Sequence, residues 1–189
     1  DPDTYHALAR ATYAEMALAG ITAVGEFHYV HHAPGGDAYG NPNAMSDALV
    51  AAATDAGIRM TLLDTCYLAG GFDTPLAQVQ LRFSDGDANR WAERVSAMTP
   101  TTEIRIGTAI HSVRAVAADQ MRIVSAYAEE HGSPLHAHLA EQRAENVACL
   151  EARGCTPAQL LADSGALGER TIAVHATHCT PEDISLLQA

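Results

Sequence analysis

Histidine is spread unevenly along this chain, and its spacing suggests chemistry. In Leu135-His136-Ala137-His138-Leu139-Ala140-Glu141 two imidazoles stand two residues apart, and a carboxylate follows three after the second. On an extended strand, residues two apart share a face. His136 and His138 therefore point the same way, and Glu141 falls just past the strand end. Imidazoles at a strand tip with an acid beyond them suit a metal-activated water and a proton shuttle. Periodicity leaves open which of His136 and His138 would bind the metal; the bland alternative is a hydrogen-bonded core pair. A second tip, Val174-His175-Ala176-Thr177-His178, lies downstream. There His175 would complete a ligand pair or hydrogen-bond the reacting oxygen, with His178 in support. A third, Ile110-His111-Ser112-Val113-Arg114, lies upstream. An arginine such as Arg114 reads a carboxylate through paired hydrogen bonds, so an anionic substrate is one expectation and a surface ion pair the other. Tyr29, within Glu26-Phe27-His28-Tyr29-Val30-His31-His32, could donate to a substrate, while His31 and His32 are expected in a loop that could equally face solvent.

These tips need elements to carry them. Residues 3–19 read as a helix stopped by Gly20, followed by a strand over 21–30 and a glycine-rich loop. A helix over 43–56 ends at Gly57, and a strand over 58–66 empties into a long loop, 67–84, of the kind that is usually functional. A helix over 85–98, a strand over 103–110 and an amphipathic helix over 116–131 come next. The 135–139 strand is followed by a helix over 142–153 and a short helix capped by Thr156 with Pro157 at its first position. The last strand is 171–175, and Thr180 with Asp183 signals another helix. Five apolar strands alternating with helices predict a parallel sheet.

No G-x-G-x-x-G follows any strand, so a dinucleotide fold has no support. The reactive residues sit at strand C-terminal ends, which in a (β/α)8 barrel form the one face where sites lie. The predicted fold is thus α/β, a partial (β/α)8 TIM barrel, since five strands cannot close one; that the first strand and last two strands are the missing ones is implied only by the family resemblance given below. Residues 1–189 are expected to be the central part of one metal-dependent hydrolase domain, incomplete at both ends.

The net charge of −12 argues against nucleic acid and against an anionic membrane surface. All eleven basic residues are arginine. That excludes a Schiff-base lysine, a phosphate-loop lysine and a carbamylated lysine bridging two metals. The four cysteines form no C-x-x-C pair and no signal peptide is evident, so reduced thiols in the cytoplasm are expected. Aromatic residues make up 5% of the chain, offering few surfaces for stacking a planar heterocycle.

The His138–Glu141 and His175 segments resemble strands five and six of the amidohydrolase superfamily, in its deaminase and chlorohydrolase branch. Gly25 to His32 and the His111-x-x-Arg114 pair are similar to the formimidoylglutamate deiminases within it. The resemblance implies hydrolysis of N-formimidoyl-L-glutamate to N-formyl-L-glutamate and ammonia, a step of histidine degradation. It implies one divalent metal, zinc by expectation, with His138 as ligand, Glu141 as proton carrier and His175 positioning the attacking oxygen. Tyr29, His111 and Arg114 would hold the carboxylate-bearing part of a small-molecule substrate, and His136 drops to a packing role. A homodimer is the assembly to test. The family's first-strand His-x-His pair and last-strand aspartate are absent here, so the isolated chain is expected to be inactive. Two alternatives stand beside this: another deaminase or chlorohydrolase acting on a heterocycle, and an inactive fragment.

Overall fold

The computed structural model describes residues 1–188. The elements run α1 (Pro2–Leu18), β1 (Ala23–His28), α2 (Ala44–Ala56), β2 (Arg59–Cys66), a 3-10 turn (Gln78–Phe83), α3 (Ala88–Ser96), β3 (Ile104–Ser112), α4 (Ala118–Glu130), β4 (Leu135–Leu139), α5 (Arg143–Arg153), α6 (Pro157–Asp163), β5 (Thr171–His175) and α7 (Pro181–Leu187). Local chemistry sets several of these limits. Asp1 caps α1 by accepting from the Thr4 N–H at 3.0 Å, and Asp87 accepts from the first N–H groups of α3. Thr180 and Asp183 cap each other's backbone at the start of α7. Gly57 and Gly154 end α2 and α5 in the left-handed region, where a Cβ would be strained. The expected loop after β2 contains one surprise, the 3-10 turn that folds it back over the strand ends.

All five strands pair in parallel and in sequence order, β1-β2-β3-β4-β5. Sequential parallel order with a helical crossover at each step is the winding of a (β/α)8 barrel, and the sheet forms a half-barrel of that fold. Burial alternates along β4. Leu135, Ala137 and Leu139 are buried, while His136 and His138 between them are half-buried. The first set meets the helices and the second faces the inside of the curve.

Two apolar clusters support the sheet. One joins α1 and α2 to the starts of β1 to β3 through Tyr13, Leu49, Ile58 and Met60. The larger packs Trp91, Val95, Met121, Val124 and Leu161 onto β3 and β4. Gly107 suits its place on β3, because a Cβ there would lie 2.7 Å from Leu63 Cδ2 and 3.1 Å from Thr61 Cγ2 and would force those side chains to shift. Among the described residues no helix is long and apolar enough to cross a membrane, and all four cysteines are free thiols.

Candidate active site

The three histidine tips meet. His138 on β4 lies between its neighbours, with ring centroids 5.4 Å from His111 on β3 and 5.2 Å from His175 on β5. The His138 and His175 rings are nearly parallel, at 21°. In register His138 pairs with Ser112 and Val174, not with His111 or His175, so the rings meet through the irregularity in β3 between Ile110 and Ser112 and the left-handed turn at His175 rather than through strand spacing alone. Glu141 is the second residue after the strand, and its Oε2 lies 3.8 Å from His175 Nε2. Both side chains remain partly open, 45% and 38% exposed.

The chain turns sharply at these tips. Ala140, His175 and Ala176 all have positive φ, at 48°, 71° and 50°. For non-glycine residues that conformation costs free energy, and it gathers where surrounding contacts enforce it. Here the Ala176 N–H donates to the Leu139 carbonyl and the His178 N–H to the Ala140 carbonyl, each at 2.9 Å. His178 thus contributes its backbone to the joint between the two strand ends.

His111 and His138 are both held below the ordinary imidazole range. Burial, with His138 and Arg114 adding to it, pushes His111 down to about 3. Burial also lowers His138, opposed by its hydrogen bond to the His111 carbonyl. In that bond the His138 Nδ1–H donates at 2.9 Å, which fixes the tautomer and leaves Nε2 with a free lone pair. A neutral imidazole whose other nitrogen is held by a carbonyl is the arrangement a metal ligand needs. His138 therefore fits the role. His136, on the same face, is lowered by burial but makes none of these contacts.

Around the histidines stands a collar that composition did not reveal. The Phe27 ring lies 4.3 Å from His138. Tyr29 and Tyr67 lie 5.1 and 4.4 Å from His111, and Phe83 from the 3-10 turn closes against both tyrosines. Four of the chain's ten aromatic residues thus gather at one face, so low aromatic content does not speak against a planar substrate. Gln80 donates to the Tyr67 hydroxyl oxygen at 2.8 Å. Tyr67 directly follows β2, a strand end at which the sequence already placed it among the reactive residues, though not with a role. Arg114 is half-buried and, among the described residues, has no hydrogen-bond or ion-pair partner. Its charge acts on His111, His138, Tyr67 and Glu145.

His28, His31 and His32 lie elsewhere. His31 and His32 are buried, not solvent-facing. His28 and His31 belong to the helix side of the sheet, beside Asp64. The possible ligand atoms of this trio lie within 4.8 Å of one another, but its carboxylate is already engaged. Arg94 donates to both Asp64 oxygens, at 2.8 and 2.9 Å, and Trp91 Nε1 donates at 3.0 Å. A cation there would share Asp64 with a fixed guanidinium, so the cluster fits a structural ion pair better than a metal centre. Burial alone would raise the Asp64 carboxyl, yet Arg94 outweighs it and holds the group far below the usual carboxylate range. Arg94 also grips Asp85, which accepts from His32 at 3.1 Å. The His31 and His32 N–H groups donate to the Arg82 carbonyl. This network anchors the segment that presents Tyr29.

Comparison with known proteins places these features. The amidohydrolase family matches the chain over residues 1–189. Formimidoylglutamate deiminase of Pseudomonas aeruginosa is 36% identical over 189 residues, which is 98% of this chain and 42% of that protein. A crystal structure of an amidohydrolase from Brucella melitensis superposes with a TM-score of 0.91 at 35% identity, covering 99% of this chain and 42% of its own. Atrazine chlorohydrolase from Arthrobacter aurescens TC1, solved in complex with zinc, gives 0.82 at 23% identity, over 99% and 41%; at that identity the likeness concerns the fold. The chain spans about two fifths of the length of these relatives.

Proposed function

The chain belongs to the amidohydrolase family, and on that footing we propose that the protein carrying it hydrolyses N-formimidoyl-L-glutamate to N-formyl-L-glutamate and ammonia. In this reading residues 1–189 are the central part of one barrel domain, and further metal ligands come from the segments that complete it. The protein works in the cytoplasm, in histidine degradation, on a small carboxylate-bearing substrate; a homodimer is its assembly to test.

One divalent metal, zinc in this reading, would be held in part by His138 and would lower the pKa of a bound water toward about 7. The remaining steps belong to the side chains. His175 hydrogen-bonds the attacking oxygen and aims it at the amidine carbon. A C–O bond forms there and the C–N bond to the imino nitrogen breaks. Glu141, 3.8 Å from His175, carries the water protons to the departing nitrogen, which leaves as ammonia. Arg114 pairs with a substrate carboxylate, and His111 and Tyr29 hydrogen-bond beside it, so orientation is fixed before attack.

Arg114 carries this reading. A half-buried guanidinium that has no partner among the described residues, at the same strand-end face as Glu141 and His175, suits pairing with a carboxylate. The likeness to a formimidoylglutamate deiminase supports it. The aromatic collar favours a second reading, a deaminase or chlorohydrolase acting on a planar heterocycle. A screen of the full-length protein for ammonia and chloride release separates the two. Turnover of formimidoylglutamate at least tenfold above purines, pterins and triazines is expected, and the reverse order overturns the proposal.

A further inference from the structure

We infer that Glu145 is a positioning residue that aims the Glu141 carboxylate, and that Asn146 beside it ties down the strand end carrying His175. The inference rests on the reading of Glu141 as proton carrier. Apart from the 3.8 Å approach to His175, the Glu141 side chain makes no hydrogen bond among the described residues, so its direction depends on its backbone. That backbone follows Ala140 in the left-handed region, and nothing in β4 itself holds it. The hold comes from the first turn of α5. Glu145 Oε2 accepts from the Glu141 N–H at 3.1 Å, and Asn146 Nδ2 donates to the His178 carbonyl at 2.7 Å. The His178 N–H donates in turn to the Ala140 carbonyl. These three bonds close a ring through both strand ends, and three strained residues lie within or against it.

Packing alone does not account for Glu145. The residue is buried, and its Oε1 has no partner among the described residues. An unpaired buried carboxyl oxygen is costly, and an apolar residue would fill the space at less cost. Burial raises the carboxyl above its ordinary range. A group kept at such a place makes sense if its other oxygen does something an apolar residue cannot, and holding the Glu141 peptide is that task.

The test uses the full-length, metal-loaded protein with Glu145→Met, which keeps the bulk and removes the acceptor, and Glu145→Gln, which keeps a carbonyl acceptor. Glu145→Met is expected to lower kcat about 10- to 100-fold with KM within about twofold, and to speed hydrogen exchange at the Glu141 amide. Glu145→Gln is expected to restore kcat to within about threefold and to restore the slow exchange. Asn146→Ala gives a smaller loss of kcat, and reads the same joint should Glu145→Met fail to fold. Unchanged kcat and exchange in Glu145→Met, or in Asn146→Ala where it stands in, overturn the inference. So does a Glu145→Gln variant as impaired as Glu145→Met, which would make the carboxyl a reacting group. If the unmodified protein does not turn over formimidoylglutamate, the substrate reading fails, and the exchange comparison still decides the positioning role.

Discussion

Arg94 offers the sharpest test of how the site is supported. Its guanidinium donates five hydrogen bonds, to both oxygens of Asp64, both of Asp85 and the side-chain oxygen of Asn43. Arg94→Leu would leave two buried carboxylates without a counter-charge. Breaking one buried ion pair from one side costs about 3–5 kcal/mol; two acceptors share this cation, so the upper end applies. For a domain of this size that is a fall in Tm of about 10–20 °C.

The loss also has a pH signature. Asp64 and Asp85 are both held below the usual carboxylate range, Asp85 at about 2. Their stabilisation is present above the unfolded pKa of about 3.9 and is lost as pH falls through the folded values. Without Arg94, burial dominates and Asp64 takes up its proton at higher pH, so the variant's deficit shrinks on acidification from pH 7 to 5. Trp91 bonds to Asp64, and its fluorescence reports urea unfolding at the network itself. A deficit under about 1 kcal/mol, or one constant from pH 7 to 5, would refute the reasoning.

Further outcomes follow from other parts of the structure. Glu141→Gln in the full-length protein is expected to lower kcat about 10²- to 10⁴-fold with metal content unchanged, checked by ammonia release and metal analysis; near-normal kcat would remove Glu141 from proton transfer. His28 and His111 are each held at about 3, so the unfolded chain binds their protons first as pH falls below about 6.5. Stability is therefore whole above that pH and declines below it, by about 2.7 kcal/mol per pH unit from these two groups between pH 5.5 and 4, as urea midpoints across pH would show. Gly107→Ala, with its Cβ forced 2.7 Å from Leu63, is expected to cost about 1–3 kcal/mol, read as a lowered denaturation midpoint.

Much of this was legible in the residues. Alternation placed His136 and His138 on one face, glycines and caps marked the helix ends, and strand–helix alternation gave the parallel sheet. The meeting of His111, His138 and His175 needs more than strand spacing, because His138 pairs with Ser112 and Val174 and the rings come together through the register shift in β3 and the left-handed turn at His175. Other features depend on packing between distant segments, which periodicity does not encode. Asp64 reads as one polar residue in an apolar strand, and only the approach of Arg94, 30 residues later, explains it. His31 and His32 read as loop histidines and are buried because the 3-10 turn folds over them. Glu145, four residues after Glu141 at a helix start, was within reach of inspection, but its bond to the Glu141 N–H depends on the left-handed turn at Ala140.

The central claim is that Arg114 reads a substrate carboxylate beside Glu141 and His175. The most direct measurement is kcat/KM for N-formimidoyl-L-glutamate in the full-length protein and in Arg114→Ala. A charge-assisted pair worth about 1.5–3 kcal/mol predicts a loss of roughly 10- to 150-fold, carried mainly by KM. Turnover of formimidoylglutamate left intact by Arg114→Ala would contradict the account.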